Sequence, residues 1–153
     1  MFIFRQAVPA IGGALLLAAA SAFAADTAQG NCSLIIHVTG FRNAKGKLGA
    51  ELFTSPKGWP EEVDHSFRHE SFPIQGDQAT AEFHQLPPGK YGVVVLHDEN
   101  ENQKLDRNLL QVPKEGFGFG NNPHVLLVAP PLERASVPVT CPTTTTSVKL
   151  IYK

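Results

Sequence analysis

The sequence predicts an all-β fold: an antiparallel two-sheet sandwich of about seven short strands, with one long loop between the central and the late strands. Three observations carry this. Apolar residues recur mostly with a period of two, turn residues fill the gaps between these runs, and two cysteines lie near the two ends of the exported part of the chain. A small closed barrel is the alternative that the same pattern allows.

The first residues read as a targeting segment. Arg5 gives a positive start, Ala10 to Ala20 form an apolar run too short to span a bilayer, and Ala22-Phe23-Ala24 has the small-x-small form of a cleavage site. Residues 1–24 are therefore expected to be a signal peptide and 25–153 a single domain, exported to the periplasm or secreted. Of 13 basic and 14 acidic residues, only Arg5 lies in the leader, which leaves 12 against 14. This near-neutral balance argues against nucleic acid as a partner. No further segment of membrane-spanning length follows, so no transmembrane span is expected in the mature chain.

Each strand has its own signal. In CSLIIHV, Cys32, Leu34, Ile36 and Val38 share one parity, and in KLGAELF, Leu48, Ala50 and Leu52 do. The polar link through Lys45-Gly46 makes these two runs read as a hairpin. TSPKGWPEEVD reads as a loop, and HSFRHESFPI as a helical turn becoming a strand near Ser71. Gln75-Gly76-Asp77 turns the chain into QATAEFH. Leu86-Pro87-Pro88-Gly89 reads as a turn in which the prolines set φ and Gly89 accepts a positive φ. KYGVVVLHD follows, with Tyr91, Val93 and Val95 on one parity and Val94 and Leu96 on the other, as expected of a central strand buried on both faces. HVLLVAP, ASVPVT and SVKLIY are expected to be the last strands, with Pro138 marking an edge or a bulge.

In an exported compartment the two thiols are expected to pair. Cys141 continues the parity of Ala135, Val137 and Val139, so Cys32 and Cys141 would each point to the apolar face of a strand and form a bridge inside the sandwich.

The densest chemistry is HDENENQKLDR. Asp98, Asn100, Asn102 and Asp106 take the first, third, fifth and ninth places of an EF-hand-style loop, Lys104 offers a carbonyl at the seventh, and Glu115 is the carboxylate that folding back would add. Gln103 replaces the turn glycine and Leu109 the terminal glutamate. Two readings stand: a loop that binds Ca²⁺ weakly, the one cofactor the sequence suggests, or a metal-free network in which Asp and Asn bond their own backbone. His97, Asp98 and Glu115 are acid and base types, but no nucleophile elbow, zinc signature or fixed carboxylate pair is visible, so no catalytic residue is assigned.

KEGFGFGNNP is a second candidate site. Alternate glycines would allow positive φ, Phe117 and Phe119 point the same way, and Asn121 and Asn122 stand beside them, a set suited either to a small sugar or peptide or to plugging the end of the core. His65 and His69 would share one face of a helical turn, a weak metal pair without a third ligand.

The stretch LPPGKYGVVVLHDENENQKLDRNLLQVPKEGFGFGNNP, with the earlier GFRNAKG, resembles the central motif of the secreted bacterial family known as domain of unknown function 2141. Its pattern runs L-P-P-G-x-Y, a strand, H-D-x-N-x-N-G-x-L-D, then G-x-P-x-E-G-[YF]-G-F-S-N-N. This chain departs from it at Gln103 and Gln111, where the pattern has glycine, and at Gly120, where it has serine. The resemblance implies an exported sandwich of prealbumin-like or carboxypeptidase-regulatory-like character, within the prealbumin-like or immunoglobulin-like class expected of the fold, and no established activity. The function expected is a noncatalytic binding or accessory module of the cell envelope, meeting a glycan, peptide or protein through Asp98 to Asn122. An envelope hydrolase or a metal-handling protein on the same sandwich is the alternative.

Overall fold

A computed structural model describes residues 30–126 and 128–153. The expected leader and its cleavage site lie outside these residues. The described chain holds nine strands and no α-helix: β1 (Cys32–Thr39), β2 (Lys47–Phe53), β3 (Arg68–Phe72), β4 (Ile74–Gln75), β5 (Gln78–Leu86), β6 (Gly89–Asp98), β7 (Gly116–Phe119), β8 (Ser136–Val139) and β9 (Thr143–Lys149). They form two sheets, β4-β5-β1-β9 and β3-β2-β6-β7, with β8 also paired to β6. Among the described residues no helix is long and apolar enough to cross a membrane.

The inward parity of each strand builds the core. Leu34, Ile36 and Val38 of β1, Ala79, Ala81 and Phe83 of β5, Leu48, Ala50 and Leu52 of β2, and Val93 and Val95 of β6 are buried in one cluster. Burial of such side chains contributes roughly 1.5–3 kcal/mol each and is the main force holding the sheets face to face.

Several local expectations are corrected. β1 and β2 are not a hairpin: β1 pairs with β5 and β9, and β2 with β3 and β6. The link Gly40–Gly46 instead crosses from one sheet to the other, because its Phe41 is buried and meets the His97 ring edge-on at 5.0 Å, which closes that end of the core. The sandwich is not wholly antiparallel, since β9 runs parallel to β1. Leu86–Gly89 also crosses between the sheets; the positive φ there belongs to Gln85, not Gly89, and the Tyr91 hydroxyl fixes the crossing by donating to the Pro87 carbonyl at 2.7 Å.

The described residues of HVLLVAP are not a strand. β6 has two edges; β2 covers Gly92–Asp98 of one, while β8 takes Gly89–Gly92 and β7 takes Val94–His97 of the other, so only Gly89–Tyr91 of one edge stays free, too short a stretch to pair with them. The described residues of HVLLVAP instead form a loop that leaves Leu126 and Val128 exposed. Pro138 does sit on an edge strand, opposite Lys90.

The bridge Cys32–Cys141 is formed. Cys32 is buried at the start of β1, but β8 ends at Val139, so Cys141 lies in the exposed link to β9 and not on an inward strand face. The bridge thus pins the start of β1 to the entrance of β9, its parallel neighbour.

Candidate functional site

The polar loop after β6 is an ordered turn network. Asp98, nearly fully buried, accepts the backbone N–H groups of Asn102 at 3.0 Å and Gln103 at 2.7 Å. Asp106 accepts the side-chain amides of Asn100 at 2.8 Å and Asn102 at 2.9 Å, and Asn102 Oδ1 accepts the N–H of Lys104 at 2.9 Å. Glu115 does fold over the loop: its two oxygens accept the N–H groups of Glu99 at 2.9 Å and Asp106 at 3.0 Å. Among the described residues no three His, Cys, Asp or Glu side chains are grouped as a metal-ion cage. The oxygens suggested for a cation are thus largely spent on backbone and amide N–H groups.

His97, Asp98 and Glu115 do not converge on one cavity. The His97 ring is fully buried between the Tyr152 hydroxyl and the Lys45 carbonyl, and only Asp98 borders a depression, one of about 50 Å³. His65 and His69 do not share a helical face. His65 ends a short 3-10 turn (Val63–His65) and meets Glu62 at 2.8 Å, whereas His69 lies in β3 opposite Glu51.

The second candidate splits in two. Gly116, Gly118 and Gly120 do not take positive φ. They face the interior, where a Cβ would lie 2.4 Å from the Tyr152 ring, 2.6 Å from Val148 and 2.4 Å from the Ala135 carbonyl oxygen, respectively. The alternation G-F-G-F-G is therefore a packing pattern: glycine lets β7 approach β8 and β9, and phenylalanine faces outward. Positive φ falls on Asn121 and Asn122, whose side-chain amides donate to the Ser136 carbonyl at 2.8 Å and the Ser147 carbonyl at 2.9 Å. These asparagines fasten the strand end and face no cavity.

Phe117 and Phe119, in contrast, form the floor of the main cleft. The outward parity of the five-stranded sheet places Glu51 of β2 beside Val94 of β6, and Val94 beside Phe119 of β7; Leu96 and Phe117 make the next row. Over this floor stand two loops, one carrying Leu105, Leu110 and Val112, the other Val125, Leu126 and Val128. The cleft between them has a volume of about 390 Å³, within the usual range for a small-molecule site. Trp59 packs against the floor from outside the cleft, 5.7 Å from Phe119, with its indole N–H donated to the Pro130 carbonyl.

Sequence reasoning missed this cleft and the acid on its floor. Glu51 lies on the floor, and its Oε2 is shut away from solvent without a hydrogen-bond partner. Burial first, and Glu61 second, push its carboxyl up to about 7. The signal was present in β6, whose second parity is apolar through Val94 and Leu96; the expectation that both faces are buried is corrected, since these two are only half-buried and floor a cleft with no third layer over them.

A family model described as "Uncharacterized protein conserved in bacteria (DUF2141)" matches residues 36–147. The chain belongs to this family. The matched span runs from β1 into β9 and includes the polar loop, the G-F-G-F-G strand and both loops over the cleft. No curated protein and no solved structure matches this DUF2141 chain.

Proposed function

We propose that this DUF2141 protein is an exported, noncatalytic binding module of the cell envelope, and that its ligand is a small, largely apolar molecule held between the two loops on the outer face of the five-stranded sheet. The observation that carries the reading is the cleft itself: an apolar floor of Val94, Leu96, Phe117 and Phe119 under apolar walls, with Leu110, Leu126 and Val128 left 83%, 68% and 80% exposed at its mouth. Side chains of this kind gain by covering one another or an apolar guest. The turn network of Asp98, Asp106 and Glu115 supports the base of one wall, which gives the polar loop a scaffolding part in the same site.

The Cys32–Cys141 bridge supports an extracytoplasmic location, periplasmic or secreted, because such bonds persist in oxidising compartments. Export is tested by the mass of the protein recovered outside the cytoplasm, expected to begin at Ala25; intact Met1 there overturns it.

The binding reading is tested with the neutral dye N-phenyl-1-naphthylamine, whose fluorescence rises in apolar surroundings. Enhancement by the native protein, lost in Val94→Asp and in Leu110→Asp while both variants keep a cooperative melting transition, is the expected result. No enhancement, or enhancement indifferent to both changes, defeats the reading.

A further inference from the structure

Resting on that reading of the cleft, we infer that its occupant is an uncharged, mainly apolar molecule bearing one hydrogen-bond-accepting oxygen, such as a ketone, ester or ether, and that the Glu51 carboxyl meets this oxygen as a donor. The geometry points there. Glu51 is the only acid on the floor, flanked across the sheet by Val94 on one side and His69 on the other. Its Oε2 is buried and is the one buried side-chain oxygen or nitrogen without a partner among the described residues. Among the described residues every other enclosed side-chain oxygen or nitrogen has found a bond; Glu51 borders the cleft, so rotation about its terminal carboxyl bond would bring its unsatisfied hydrogen-bonding capacity to a guest there.

The chemistry of the guest follows from what surrounds that oxygen. A purely alkyl guest would leave the carboxyl unpaired in a still drier setting. A fatty carboxylate placed head-first would set two acids together, and an alkylammonium would have to pass Lys104, Arg107 and Lys153, which border the cleft together with Glu61 before Glu51 is reached. Arg107 is already paired with Glu61, and Lys153 donates to the Val125 carbonyl at 3.0 Å, so the mouth holds fixed positive charge. A neutral acid offers one O–H donor and suits a neutral acceptor.

Binding of such a guest selects the protonated form of Glu51 and therefore strengthens as pH falls through about 7. The titratable and charged groups nearby are Glu61 on the β2–β3 loop, Lys104 and Arg107 on the loop after β6, Lys153 at the chain end and, over the adjoining depression, His69 and Glu70 of β3 and Asp98 of β6.

The test displaces the same dye with three probes of equal chain length, an alkyl methyl ketone, an alkylamine and an alkane, at pH 6 and pH 8. Trp59 is the only tryptophan and gives a second readout through its contact with Phe119 of the cleft floor. The ketone is expected to bind roughly tenfold more tightly at pH 6 than at pH 8, as selection of a protonated form predicts. The alkane should show no such dependence, and Glu51→Gln, which keeps an N–H donor at every pH, should hold the ketone with the dependence removed. Equal, pH-independent binding of ketone and alkane, a pH dependence that survives in Glu51→Gln, or an amine that binds better as pH rises would each overturn the inference while leaving an apolar cleft. Failure of all three probes to displace the dye, or of the dye to bind, would remove the cleft reading with it.

Discussion

The Tyr152 hydroxyl lies 2.7 Å from Nδ1 of His97, although the two residues are 55 positions apart. Nε2 of the same ring faces the Lys45 carbonyl at 2.8 Å, and a carbonyl only accepts, so Nε2 carries the proton and Nδ1 accepts from tyrosine in the neutral ring. The same hydroxyl accepts the N–H of Arg42, whose guanidinium stacks over the Tyr152 ring at 4.9 Å and holds Glu99 at 2.6 Å. One tyrosine near the chain end thus ties β6, the β1–β2 link and the base of the polar loop together. Tyr152→Phe leaves Nδ1 of a fully buried ring unpaired and is expected to destabilise by about 1–3 kcal/mol, measured by denaturant unfolding. A change within error would show that the bond contributes nothing.

Gly116→Ala attacks the same junction from the other side. The new methyl would lie 2.4 Å from the Tyr152 ring, so the ring must move or β7 must separate from the chain end. The expected loss is on the order of 1–3 kcal/mol, the range for overpacking. Gly89→Ala is the control for general loss of glycine, because its φ is not positive and a Cβ there meets nothing nearer than the Tyr91 ring at 3.8 Å.

Glu51 gives a stability prediction that is independent of any ligand. Its folded carboxyl is raised from 4.5 to about 7, so between these values the folded state holds the proton more firmly than the unfolded state. Stability is therefore fully present below the unfolded value and is lost as pH rises through the folded one. The shift corresponds to an upper bound of roughly 3 kcal/mol. Glu51→Gln should accordingly stabilise the protein at pH 8 and change it little at pH 4.5, read from melting temperatures across that window. Equal effects at both ends would mean that the carboxyl is not perturbed.

The fold was legible in the sequence because inward parity survives in nearly every strand: Leu34-Ile36-Val38 and Leu48-Ala50-Leu52 are each wholly buried. Pairing was less legible, since a period of two says which face a residue takes and not which strand lies beside it. KLGAELF can follow CSLIIHV as a hairpin partner or as its opposite number across the core, and only the buried Phe41 in the link decides. The site was the least legible part. Phe117 and Phe119 were singled out, but the partners that make them a floor come from β2 and β6 and from loops with no periodicity. The acidic loop drew attention through composition, yet its carboxylates are consumed by N–H groups that a sequence does not display.

The bridge closes a long loop, since Cys32 and Cys141 are 109 residues apart. Replacing both by serine frees the unfolded chain and is expected to cost about 2–4 kcal/mol, with a lower melting temperature. The entrance of β9 should loosen first, because its pairing to β1 begins at Ser33↔Thr143, next to the bridge. Hydrogen exchange should then rise in Thr143–Thr146 ahead of β6, and uniform protection across both strands would contradict this order.

The polar loop supplies the last prediction, and it rests on two glutamines. Gln103 has φ of 59° and Gln111 of 62°, both in the left-handed region, and these are the two places where the family pattern has glycine. A side chain there costs about 1–2 kcal/mol, part of which glycine gives back through the greater freedom of the unfolded chain. Gln103→Gly and Gln111→Gly are each expected to raise stability by up to about 1 kcal/mol, and by similar amounts, since both relieve the same strain. Asp98→Ala should do the opposite, because it strips the N–H of Gln103 of its acceptor and leaves that of Asn102 only the longer bond to Asn100 Oδ1 at 3.3 Å, at a nearly buried position. Calorimetric titration of Ca²⁺ into chelator-stripped protein is expected to show no binding or weak binding, on the order of 10⁻⁴ to 10⁻³ M, because Asp98, Asp106 and Glu115 would have to give up N–H partners to coordinate an ion. Gln103→Gly restores the residue that such a turn favours and should tighten whatever affinity exists. A submicromolar site in the unmodified protein would show that these carboxylates exchange their backbone partners for an ion at little cost, and clear Ca²⁺ binding that ignores Gln103→Gly would show that the turn at this position does not govern it.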